Sequence, residues 1–166
     1  MHTGDAAIAT PAASLAGKFL TFFLGNEEYG LEILKVHEIM GMLPITRVPR
    51  TPDAVRGVIN LRGKVIPIVD LRVRFRMPGE DVDETCIIVV QVRGALMGVV
   101  VDRVSEVVAI AAADIEAAPE FGADVDTRYL LGLAKAGGRV RLLLDIDRVL
   151  ASEHVGDPAS PSTTTD

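Results

Sequence analysis

From Lys18 onward the apolar residues come in short runs of Val, Ile, Leu and Phe, separated by glycine-containing turns, the pattern of a small barrel or sandwich rather than a helical bundle. Lys18 to Leu24 and Glu27 to Ile33 flank Gly25-Asn26, while Gly57 to Arg62 and Lys64 to Asp70 flank Arg62-Gly63. Each pair predicts a hairpin. Helical periodicity is confined to short pieces around Leu34 to Ile39, after Asp70, around Asp102 to Val107, and in Asp145 to His154, where Asp145 is the expected N-cap.

The same pattern occurs twice. A shift of 68 lays Phe22–Ile39 on Val90–Val107, matching Gly30 with Gly98, Val36 with Val104 and Glu38 with Glu106. A shift of 75 lays Gly57–Phe75 on Gly132–Leu150, matching Gly57 with Gly132, Gly63 with Gly138, Val65 with Val140 and Asp70 with Asp145. The difference between the shifts falls in the connectors, where insertions are tolerated. Gly63 and Gly138 are expected to take the positive φ of tight turns, and Gly30 and Gly98, inside strands, to mark bulges or bends. The chain therefore reads as mainly β: two barrel-like subdomains of about five strands, with short helices plugging their ends or the seam.

Composition narrows the function classes. A net charge of −6 and 4% aromatic residues without Trp argue against nucleic-acid binding. The longest apolar runs fall short of a membrane span, and the start lacks the basic and apolar blocks of a secretory signal. Residues 1–17 and 155–166 read as disordered tails around a folded body at 18–154. Within that body the first barrel is expected at roughly 18–80 and the second at roughly 81–150, with elements free to cross over. Cys86, the single cysteine, sits in an apolar run, which suits a buried thiol in a reducing cytoplasm.

Candidate chemistry is sparse. His37-Glu38 is the only internal histidine beside a carboxylate, with no nucleophile or metal-ligand partner in the pattern. No phosphate-binding glycine loop is present, and Asp70 and Asp145 read as helix caps. Asp81, Asp83 and Glu84 read as a solvated linker. The chain is thus read as a non-enzyme that needs no cofactor or metal. The two repeats differ most visibly where Arg62 corresponds to Gly137. A hairpin folded back over Glu38 makes Arg62–Glu38 a charge-assisted pair; otherwise Arg62 is a solvent-facing turn residue.

Leu31-Glu32-Ile33-Leu34-Lys35-Val36-His37-Glu38-Ile39, Gly57-Val58-Ile59-Asn60-Leu61-Arg62-Gly63 and Pro67-Ile68-Val69-Asp70-Leu71-Arg72 resemble, in order and spacing, the CheW family of bacterial chemotaxis coupling proteins. Gly98 to Val107, Ala118-Pro119-Glu120-Phe121 and Leu131-Gly132-Leu133 extend the resemblance through the second half. It implies two SH3-like five-stranded β-barrels on a common hydrophobic seam. It also implies an adaptor bridging methyl-accepting chemoreceptor tips to the regulatory domain of the histidine kinase CheA. The expected location is the cytoplasm, at membrane receptor arrays reached through partners, with no membrane insertion and with coupler–coupler contacts admitted.

By position, the resemblance assigns receptor binding to Ile33, Val36, Glu38 and Ile39, braced by Arg62, with Val99, Val101 and Val104 from the other repeat. Kinase contacts fall on Ile45, Val65 and Phe121, and Gly57, Asn60 and Gly63 shape the hairpin. A coupler of a related non-flagellar array, serving surface motility or biofilm control, is the alternative. Met40-Gly41-Met42-Leu43 departs from a polar surface turn, and its methionines can adapt to a partner surface.

Overall fold

The computed structural model describes residues 17–118, 127–136 and 138–151. Its strands are β1 (Lys18–Leu24), β2 (Glu27–Glu32), β3 (Val36–Gly41), β4 (Val55–Leu61), β5 (Lys64–Asp70), β6 (Cys86–Val92), β7 (Ala95–Val101), β8 (Arg103–Ala109), β9 (Ile115–Glu116), β10 (Leu130–Ala136) and β11 (Arg139–Leu144). Two one-turn helices, α1 (Leu71–Arg74) and α2 (Ile146–Val149), follow β5 and β11. Asp70 and Asp145 cap them as expected: the Asp70 carboxylate accepts from the Arg72 amide, and that of Asp145 from the Arg148 amide. The fold is mainly β.

The duplication is complete at the level of elements. Adding 68 carries β1, β2 and β3 onto β6, β7 and β8, and adding 75 carries β4, β5 and α1 onto β10, β11 and α2. The sheets, however, do not divide near residue 80. One sheet runs β8-β1-β2-β11-β10-β9 and the other β3-β6-β7-β5-β4. Each therefore combines the first two strands of one repeat (β1 and β2, or β6 and β7) with the later strands of the other.

Strands of the two repeats meet at four junctions, antiparallel between β1 and β8 and between β3 and β6, and parallel between β2 and β11 and between β5 and β7, in sheets that are otherwise antiparallel. Gly30 and Gly98 lie in the parallel junctions, paired with Leu143 and Ile68. Neither glycine marks the bulge expected of it. A Cβ on Gly98 would stand 2.6 Å from the Ile68 side chain, and one on Gly30 2.9 Å from that of Leu143. They are glycines because a facing aliphatic residue occupies the space.

The register shifts fall elsewhere, at Leu20/Phe22, Val36/Glu38, Val55/Gly57 and Leu130/Gly132. Two of these are the equivalent glycines Gly57 and Gly132. A Cβ on Gly57 would lie 2.0 Å from the Thr46 carbonyl oxygen, and one on Gly132 2.6 Å from that of Glu116. Each glycine lets the preceding connector approach and pair, as the bridge Thr46–Val58 in one sheet and as β9 in the other. The six strands of the first sheet, against five expected, reflect only that this pairing is two residues long at β9.

Two helices expected from periodicity are not formed. Ile33–Lys35 is a single 3-10 turn that runs into β3, and Asp102 leads into β8. In both strands an outward-facing aliphatic, Ile39 or Val107, combines with a bulge to imitate helical spacing.

The core has three parts. Ile59, Leu61, Ile66, Ile68, Ile87, Val89 and Val100 fill the five-stranded barrel, and Phe19, Ile110, Ala134 and Leu143 the other. The largest cluster is the seam between them. There Leu20, Phe22 and Leu24 meet Ile88, Val90 and Val92, joined by Leu71 and Phe75 after β5 and by Ile146 and Val149 of α2. Alternation along β6 sends Ile87 and Val89 into its own barrel and Ile88 and Val90 into the seam. Stacked rings of Phe22, Tyr29 and Phe75, with centroids 5.9 and 6.1 Å apart, run along it.

Gly57→Ala is expected to destabilise the chain by at least about 3 kcal/mol, because backbone must move and φ is +139°. Gly63→Ala, at φ +89° with open space around the new methyl, should cost only about 1 kcal/mol. Urea denaturation of the two variants measures the difference.

Candidate protein-binding site

The β4–β5 hairpin places Arg62. Its two turn residues, Arg62 (φ 50°) and Gly63 (φ 89°), both adopt left-handed backbone, the geometry of a type I′ turn that matches strand twist. Asn60 locks it by accepting the Gly63 amide on Oδ1 at 2.8 Å. Arg62 then reaches Glu38 on β3, and their side chains form an ion pair. Because β3 and β4 are the two edges of the five-stranded sheet, the pair spans the rim where that barrel closes. His37 Nε2 lies 3.9 Å from the same carboxylate. Arg62 is 66% exposed, so the pair contributes little to stability and mainly fixes where its charges stand.

The remaining expected receptor residues fall into two groups. Ile33, Val36 and Val104 are half-buried against the seam from both repeats, and Ile39 is exposed on the outer face of β3. Val99 and Val101, by contrast, are 0% exposed. They are core residues that support this face from below and cannot touch a partner directly. Ile45 is half-buried against the barrel interior, Val65 is 68% exposed, and Phe121 lies outside the described residues. Met40 and Met42 pack half-buried against the same interior, leaving Leu43 exposed in that segment.

The turn between Ile33 and Val36 is anchored by Lys35, whose Nζ lies 2.8 Å from Asp147 of α2. That hydrogen bond is the main reason the ammonium is held above its usual pKa. At the corresponding place in the other half the polarity is exchanged. There Arg72 of α1 supplies the cation, and Asp102, between β7 and β8, the acid, 3.0 Å apart.

Arg72 is the largest polar feature that sequence reasoning missed. It is 3% exposed, and every edge of its guanidinium is engaged. Asp70 is bound through Nε and Nη2, both at 3.0 Å, Asp81 through Nη2 at 2.7 Å, and Asp102 and the Glu80 carbonyl through Nη1 at 3.0 and 3.1 Å. Arg56 adds a second cation, 2.9 Å from Asp81 and 3.3 Å from Asp70. Asp102 also accepts the Gly25 amide at 2.6 Å. Asp81 stays exposed, as a linker residue would, but it is also bound by two arginines. It pins the chain between α1 and β6 onto the body. Sequence signal existed only in the count of acids around residue 81, which does not say that a buried arginine faces them.

A second buried cluster sits in the six-stranded sheet. Glu28, 4% exposed, is paired with Arg139 and with Arg141, whose Nε lies 3.1 Å from it. Thr21 bridges the β1–β8 bulge, donating to the Glu106 carbonyl at 2.9 Å and accepting its amide at 3.1 Å. Cys86 is half-buried, and burial pushes its thiol above the usual pKa. Among the described residues no group of three His, Cys, Asp or Glu side chains is placed to hold a metal ion, and no helix is long and apolar enough to cross a membrane.

Fold and site together define a duplicated double barrel that presents an aliphatic, singly braced face. The family model for the CheW-like domain matches residues 18–154. The chemotaxis protein CheW of Klebsiella aerogenes is 46% identical over 92% of this chain and 93% of that protein. Protein FrzA of Myxococcus xanthus is 35% identical over 73% of this chain and 76% of its own. The crystal structure of the scaffolding protein TtCheW from Thermoanaerobacter tengcongensis superimposes with a TM-score of 0.76 at 35% identity, covering 85% of this chain and 90% of that one. The chain belongs to the CheW family.

Asp81 carries the pH dependence of the linker. Hydrogen bonds from Arg56, then Arg72, lower its pKa from 3.8 to about 2. A depressed folded pKa contributes stability that is present above the unfolded value and is lost as pH falls through the folded one. Stability should thus decline between about pH 4 and pH 2, and Asp81→Asn should flatten that part of the profile in urea titrations across pH.

Proposed function

We propose that this chain is a chemotaxis adaptor that couples transmembrane chemoreceptors to the histidine kinase CheA, so that receptors control kinase autophosphorylation. The observation that carries the reading is the family match across residues 18–154, with the Arg62–Glu38 pair beside the exposed Ile39. The site suits binding rather than catalysis: its polar groups are committed to one another, and the exposed aliphatic Ile39 lies beside them. In this reading the protein works on the cytoplasmic side of receptor arrays through its partners, and copies of the chain also touch one another there.

The receptor tip is taken by Ile33, Val36, Glu38, Ile39 and Val104, with Arg62 orienting Glu38 and with Val99 and Val101 as the buried support. The kinase regulatory domain is taken around Ile45, Val65 and Phe121. The similarity to FrzA supports a second reading, in which the same contacts serve a non-flagellar array. Titrating receptor tips from the two kinds of system against this chain separates the readings, since the cognate tip binds and the other does not.

A reconstituted assay of CheA autophosphorylation with receptor-containing membranes, with and without this chain, tests coupling directly. Kinase activity should become receptor-dependent only when the chain is present; unchanged activity sinks the proposal. Arg62→Ala and Glu38→Ala should each weaken receptor binding, while the double variant is no worse than the more damaging single one. Strict additivity of the two losses would mean that the pair does not act as a unit.

A further inference from the structure

The connector between β3 and β4 encloses an open depression of about 360 Å³, which the adaptor reading does not by itself explain. Ile45 and Val48 supply apolar wall, and Arg47, Arg50, Arg56 and Asp53 its charged groups. The backbone around it is held rigid. Thr46 and Val58 exchange both amide–carbonyl bonds at 2.9 and 2.8 Å, Val55 donates to the Pro52 carbonyl at 2.9 Å, and the Thr51 hydroxyl donates to the Val48 carbonyl at 3.0 Å. Pro49 and Pro52 fix φ at two further positions.

The arginines of this region are unequal. Arg56 is neutralised by Asp70 and Asp81, Arg62 by Glu38, and Arg72 by three aspartates. Arg47 and Arg50 are exposed and make no hydrogen bond or ion pair among the described residues. Two free guanidinium groups on one preorganised wall, in a chain of net charge −6, have carboxylates as their matching partner. Asp53 opposes them and is the single carboxylate on that wall.

We propose that this depression seats an acidic segment of CheA, Arg47 and Arg50 binding its carboxylates while Ile45 and Val48 receive a neighbouring apolar side chain. The proposal rests on the kinase reading of Ile45, because that residue is part of the same wall. It assigns to Arg47 and Arg50 the electrostatic half of the interface. Preorganised exposed charge acts chiefly on association rate and on its salt dependence, and that is where the seat should be visible.

Association of the full chain with the CheA regulatory domain is followed by stopped-flow fluorescence at low and raised ionic strength. R47E/R50E should slow association by about tenfold at low salt and flatten the salt dependence. Asp53→Asn should speed association, because it removes the opposing charge. Ile45→Asp reports on the kinase reading itself. If Ile45→Asp weakens binding while R47E/R50E keeps the rate and salt dependence of the parent chain, the seat is wrong and the reading stands. If neither variant alters kinase binding, both fall. A defect of R47E/R50E confined to receptor fragments, or slower association of Asp53→Asn, likewise overturns the seat. Circular dichroism and thermal melting show that each variant is folded.

Discussion

The parallel junctions of β2 with β11 and β5 with β7 govern everything else in this chain. Because each barrel takes strands from both repeats, neither repeat can complete a hydrogen-bonded sheet without the other. The seam is consequently a continuous core rather than a contact between finished domains. Gly30 and Gly98 are the local condition for this exchange, since an aliphatic side chain of the partner strand fills the place of their Cβ atoms. The residues between β2 and β3 and between β7 and β8 then have to cross from one barrel to the other.

Those crossings are where charge is concentrated. Lys35 is held by Asp147 at one, and Asp102 is held by Arg72 at the other, with cation and anion exchanged between helix and crossing. Burying a guanidinium is costly unless each donor finds a partner, and Arg72 meets that condition through Asp70, Asp81, Asp102 and the Glu80 carbonyl. The result fastens the linker after α1 and holds Arg56 at the edge of the depression formed by the β3–β4 connector. The Arg62–Glu38 pair differs in kind. It is exposed, contributes little to folding, and closes a rim beside aliphatic residues that remain open to a partner.

Expectation and structure part company for identifiable physical reasons. Ile39 and Val107 face outward on strands, so their spacing imitated a helix, and the bulges at Val36/Glu38 and Leu20/Phe22 removed the strict alternation that betrays a strand. Val99 and Val101 were assigned to a contact face by position, whereas the exchange of strands places them beneath it. Asp81 sat in a polar, glycine-containing stretch of the kind that usually lies in water, and only the fold brought Arg56 and Arg72 to it.

What the amino-acid sequence determined by itself was most of what has a local or periodic cause, β3 and β8 excepted. The hairpin strands follow from alternation and turn glycines, the caps from Asp70 and Asp145, and the duplication from spacing alone. The pairing of Arg62 with Glu38 was legible only as one of two open readings, and the meeting of the β4–β5 hairpin with β3 decided it. Tertiary structure alone decided which repeat each strand completes, which aliphatic residues remain exposed, and which acids surround Arg72. Those outcomes depend on residues distant along the chain meeting in one place, and the pattern of a single segment carries no record of what will face it.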